Sequence, residues 1–243
     1  MENSNFNSDI IGNRDVAGSM SKTFIANVFS WMGVALAITA VVSYLFGTNA
    51  DYMSLLINES GRGLSGFGYI VMFAPLVFVF AMSLGWQRWS SSVILALFLA
   101  YSVVMGISLS FIFLIYTKSA IYGTFAVAAA MFGTMALLGY TTQTDLTKLG
   151  SLLIMGLIGL VIASIVNMFL NSSGMDYMIS FFGVIIFTGL TAYDVQKLKR
   201  IGEGVEFGTE TTSKLAMMGA LNLYLDFINL FLFLLRLFGG RRN

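Results

Sequence analysis

Seven long apolar stretches joined by short polar connections leave this chain little choice but to cross a lipid bilayer seven times. A spanning helix needs about 20 apolar residues, because a bilayer core offers no water to satisfy backbone groups that a helix does not pair itself. The stretches are 24–46, 68–84, 93–115, 121–140, 152–170, 178–198 and 215–238. The second is short and holds Pro75, the only proline, so a kink or tilted entry is predicted there. Charged residues make up 10% of the chain, against about 25% in soluble domains. The fold class is therefore an all-α integral membrane protein. It forms one seven-helix domain, 23–240, behind a polar segment, 1–22, that reads as a disordered cytosolic tail.

The composition also removes whole function classes. A net charge of +1 offers no electrostatic surface for nucleic acid. Without cysteine there are no disulfides, thiol chemistry or thiolate metal sites. Without histidine, proton sensing near neutral pH falls to carboxylates. No serine–base pair, HExxH, P-loop or EF-hand loop is present, so neither an enzyme nor a cofactor is expected. Seven spans place eight basic residues on the N-terminal side and five on the other, which predicts a cytosolic N-terminus and an outward C-terminus. The compact, cysteine-free layout suits a bacterial cytoplasmic membrane.

Polar residues inside the spans need a reason. Asp226 lies at the centre of the last stretch, with Asn222 four residues before it and Asn229 three after. At about 100° per residue the three share one stripe, which should face protein or water rather than lipid. An ionised carboxylate at mid-membrane costs about 2.5–3.5 kcal/mol on the mildest scale. Holding one neutral at pH 7 costs about 4 kcal/mol from an ordinary pKa near 3.9. Neither state wins clearly, so a partner decides. Asp194, toward the cytosolic end of the sixth stretch and preceded by Thr188 and Thr191, has two readings. It is tied locally to Lys197 or Arg200, or it faces inward and meets Asp226, in which case the two share a proton and titrate as a pair. Arg88, between Trp86 and Trp89, is either a positive-inside marker or a latch on Asp194 whose grip protonation releases. Asn167 reads as an interhelical hydrogen bond rather than a substrate ligand.

Four segments resemble the Bax inhibitor-1 family of seven-span membrane proteins, also called the transmembrane BAX inhibitor motif or YccA-like family. They are 223–239 (LYLDFINLFLFLLRLFG), 191–199 (TAYDVQKLK), 141–150 (TTQTDLTKLG) and, least closely, the Arg88 region. The resemblance implies a bundle whose seventh helix is wrapped by the other six, and a pH-sensitive calcium leak controlled by an aspartate pair. Matched residue by residue, Asp194 and Asp226 would be that pair and Arg88 the latch. The chain departs from the pattern in a longer segment between the acids, 202–212, and in a single arginine where a basic cluster is usual.

The expectation is a pH-responsive cation leak, with Ca²⁺ held transiently by Asp194 and Asp226 and assisted by Asn222, Asn229 and Thr191, since hard cations prefer oxygen ligands. The partners are then the bilayer, protons and Ca²⁺. A second reading is a non-conducting regulator of a membrane protease, contacting it through 1–22 or 202–212. A third is a proton-coupled solute carrier.

Overall fold

The computed structural model describes residues 2–58, 63–206 and 208–240, with side chains from Met20 onward. Its helices are α1 (Glu2–Thr48), α2 (Ala50–Leu56), α3 (Gly66–Gly85), α4 (Ser91–Leu109), α5 (Ile112–Ile115), α6 (Lys118–Thr141), α7 (Thr147–Leu170), α8 (Ser173–Gly204) and α9 (Glu210–Phe238). Seven spans are long and apolar enough to cross a membrane, α4 and α5 together making the third. Among the described residues the only extended pairing is one isolated bridge, Ile57 with Leu64.

Starts and stops follow local chemistry. The Ser65, Thr117, Ser172 and Thr209 side chains accept from backbone N–H groups of the turns they open, satisfying donors a helix cannot pair itself. Asn171 closes α7 in the left-handed region (φ 49°), which lets α8 begin two residues later. α3 runs unbroken through Pro75. The segment read as a disordered tail continues α1 as helix from Glu2. Its innermost part packs: Ser21 is buried, and its hydroxyl donates to the Lys199 carbonyl 3.1 Å away. Met1, Arg62, Arg241 and Arg242, the last three counted in the charge asymmetry, lie outside the described residues.

Contacts between distant segments agree with seven crossings. The end that carries Lys199 and Lys214, here called the basic end, also joins Ser21 to Lys199, Ser91 N–H to Glu210, and Arg200 to Asp145. At the far end Arg236 pairs with Asp176 at 3.2 Å, and Thr117 N–H donates to Gly240.

α9 is the axis. Two thirds of its apolar window is buried, against 11% for α7 and 17% for α3. It packs directly on α1, α4, α6 and α8, so four spans wrap it rather than six. α3 lies against α4 and α7 against α8, each outside the central group. Two close approaches set the core. A Cβ at Gly139 of α6 would strike the Ala192 backbone of α8, and one at Gly219 of α9 would meet Leu198 Cδ2 at 2.5 Å.

Candidate functional site

The antiparallel register of α8 on α9 decides which polar side chains meet. Leu198 faces Gly219 and Gly183 lies beneath the Phe233 ring, while Phe187 stacks on Phe233 with centroids 5.8 Å apart. Stepping down α8 from Leu198 by four residues, and up α9 from Gly219 by seven, brings Asp194 to Asp226. There each carboxyl lies within electrostatic reach of the other. The spans drawn from hydropathy set these acids at different depths. α8 continues to Gly204 and α9 begins at Glu210, which leaves Asp194 about 15 Å and Asp226 about 24 Å inside those helix ends, so it is the side-chain register and not the end positions that brings them together.

Asp226 is buried at 6% exposure and Asp194 is half-buried. No described N–H or O–H reaches the buried Asp226 Oδ2. The cation that acts on Asp194 is Lys197, one turn along the same helix, and it forms no ion pair within 4 Å. Arg200, the other local candidate, is engaged elsewhere. It pairs with Asp145 at 2.8 Å and donates to Gln196 and Thr147.

The other expected site residues are placed as follows. Arg88 is exposed in the α3–α4 turn; its N–H donates to the Gly85 carbonyl, while its side chain has no hydrogen bond or ion pair among the described residues and is not brought to Asp194. Thr191 is fully buried and spends its hydroxyl on the Phe187 carbonyl of its own helix. Asn229 is half-buried and donates to Leu225, also within its helix. Asn222 is exposed and unbonded among the described residues. The stripe therefore divides: Asp226 is buried in the bundle, Asn229 lines a pocket with Leu160 of α7 and Phe187 of α8, and Asn222 is exposed. Asn167 accepts from Ser172 N–H and so closes a local turn rather than bridging helices. Among the described residues no group of three or more acidic side chains gathers as a metal cage.

Two constellations were not legible in the sequence. Thr39 of α1 donates to the Ser102 carbonyl of α4 at 2.8 Å and bonds the Tyr224 hydroxyl of α9 at 2.7 Å, all buried. The Tyr101 ring packs edge-on against Tyr224 at 5.5 Å. Each partner is a common residue type in a separate span, and no spacing links them. The second constellation explains the 141–150 segment. Gln196 of α8 accepts from Leu146 N–H and donates to the Thr144 carbonyl, while Arg200 grips Asp145. Hydrogen bonds from the Thr147 hydroxyl and N–H, then from Arg200, hold the Asp145 carboxyl well below the usual carboxylate range. Beyond the acid pair, an apolar cavity of about 160 Å³ lies between α1, α5, α6 and α9, lined by Thr39, Ser43, Phe125 and Phe231 among others.

Seven apolar spans, one of them a buried axial helix that carries an acid inside the bundle, define a multi-pass helical membrane protein. The chain belongs to the Bax inhibitor-1 family: the family model described as inhibitor of apoptosis-promoting Bax1 matches residues 21–243. It is 46% identical over 222 residues to the inner membrane protein YbhL of Escherichia coli, covering 91% of this chain and 93% of that protein. It is also 46% identical over 220 residues to an uncharacterized protein of Borreliella burgdorferi, covering 90% and 93%. A membrane protein of Streptococcus pyogenes is 37% identical over 218 residues, covering 89% and 92%.

Proposed function

We propose that the chain is a pH-responsive cation leak pathway, with Ca²⁺ as the permeant ion and Asp194 and Asp226 as its proton-sensing pair. One observation carries this reading: two carboxyls from adjacent spans lie within reach of each other, Asp226 buried, and among the described residues neither has a cation within 4 Å. A purely structural role would be served as well by an amide and at lower cost, since a carboxyl in a span must be neutralised or solvated. The pair offers oxygens to a passing hard cation without caging it, as a leak requires.

The sign of the pH response follows from the shared proton. With it, Asp194 is satisfied by Asp226 and Arg88 is free. Removing it at higher pH leaves two facing charges, and Asp194 then draws a cation: Lys197 on its own helix, or Arg88 acting as the latch that closes the basic end. Acid releases the latch. Calcium flux into liposomes is therefore expected to rise several-fold on acidification. Asp226→Asn should flatten the pH profile, and Arg88→Gln should raise flux at alkaline pH toward the acid value. Asp226→Asn flux with an unchanged pH profile would refute the pair as sensor. The pathway is proposed to lie in a bacterial cytoplasmic membrane with the basic end in the cytosol.

A second reading, a non-conducting regulator of a membrane protease, is favoured by the uncovered side of α9 where Asn222 is exposed and unbonded. Under it a protease co-purifies with the chain independently of Asp226, and the association is lost when residues 1–22 are removed.

A further inference from the structure

Where α7 and α8 part at the basic end, a pocket of about 280 Å³ is lined by Thr147, Tyr193, Gln196, Lys197, Arg200 and Ile201. We propose that this pocket binds the phosphate of an anionic phospholipid, with Lys197 as its principal cation and the acyl chains running down the outer face of α7.

The lining carries two cations and no carboxylate. Of the acids beside it, Asp145 is already committed to Arg200 and Thr147, and Asp194 feels the Lys197 charge without an ion pair to it within 4 Å among the described residues. Arg200 spends both terminal nitrogens on Thr147, Asp145 and Gln196, which fixes its guanidinium as a rigid positive wall. Lys197 differs: it is exposed, has no carboxylate within 4 Å among the described residues, and lies 6.0 Å over the Tyr193 ring. Its ammonium retains three donors for a phosphate oxygen.

Depth argues for a lipid rather than a soluble anion. The pocket opens where the apolar runs of both helices end, the level of the headgroups, and Tyr193 is the kind of amphipathic ring that settles there. The Tyr193 ring rests on Gly150, closing the seam directly below. On the lipid side of α7, Leu149, Leu152 and Met155 are all exposed, giving acyl chains an apolar wall beneath the phosphate. Basic pockets between spanning helices at a membrane surface are a recurring way to hold anionic headgroups.

The test is lipid retention, which does not depend on whether the chain conducts. The full-length protein in neutral detergent is offered phosphatidylglycerol or phosphatidylcholine at equal concentration, and bound lipid is counted by native mass spectrometry. Phosphatidylglycerol is expected to be retained several-fold better. Lys197→Gln should abolish that preference and Lys197→Arg should keep most of it. Because Lys197 is exposed, the variants are expected to fold, and unchanged melting confirms it. Equal retention of the two lipids overturns the proposal, as does an undiminished preference in Lys197→Gln. Full displacement of phosphatidylglycerol by inorganic phosphate would also overturn it, assigning the pocket to a soluble anion.

Discussion

The Thr39 hydroxyl is the hinge of the buried polar network, because it both donates to the Ser102 carbonyl and bonds the Tyr224 hydroxyl. The two ends of that chain are unequal. Tyr224→Phe removes a donor and leaves Thr39 still bonded to Ser102, so its cost is expected near the average of about 0.6 kcal/mol for hydrogen bonds between membrane helices. Thr39→Val strands the Tyr224 hydroxyl in a fully buried site, and an orphaned buried polar group costs about 1–3 kcal/mol. Denaturant unfolding in micelles should rank the two variants in that order, and the double variant should recover part of the Thr39→Val loss. Similar costs or the reverse order would mean that the Tyr224 hydroxyl finds water when Thr39 is gone. At this scale Asp226 was legible as a residue in need of a partner, because one charge in an apolar run stands out. The network was not, because a threonine, a tyrosine and a backbone carbonyl carry no charge to mark them.

Helix pairs in a bilayer gain little from burial, since lipid is as apolar as leucine, so close contact at small residues carries much of the packing. Two close approaches to α8 differ in what gives way. At Gly219 an added methyl meets the flexible tip of Leu198, which can rotate aside. At Gly139 it meets the Ala192 backbone, which cannot move without shifting α8 against α6. Gly139→Ala is therefore expected to cost about 1–3 kcal/mol, the usual range for over-packing, and Gly219→Ala clearly less. Thermal unfolding of the two variants under one detergent condition checks the order. The element scale also explains why the polar stripe read from α9 was only half right. Angular spacing correctly grouped Asn222, Asp226 and Asn229 on one side of the helix. It could not say that Asp226 and Asn229 are covered while Asn222 is left exposed, because the placement of neighbours depends on packing between spans distant in sequence. All seven spans were legible for the opposite reason, since apolar length is a local property.

The whole molecule is a central group of five spans with α3 and α7 attached outside it, and its sidedness rests on contacts that link like ends. Ser21 with Lys199 and Ser91 with Glu210 join at one end, while Arg236 with Asp176 and Thr117 with Gly240 join at the other. An odd number of crossings then requires the α3–α4 turn and the α5–α6 turn to face opposite compartments. The absence of cysteine makes this directly measurable, because any introduced thiol is the only one present. Gln87→Cys and Ser119→Cys both fall at exposed positions in those turns. In sealed right-side-out vesicles, a membrane-impermeant maleimide should label Ser119→Cys directly and Gln87→Cys only after permeabilisation. The reverse pattern would invert the orientation while preserving the seven crossings. It would then place Arg88 and the Lys197 pocket, both at the basic end, on the outer face, where the charge asymmetry argues they should not be. Labelling of both from one side would break the odd count itself. The antiparallel pairing of α8 with α9, on which the meeting of Asp194 and Asp226 depends, would then need a different connection.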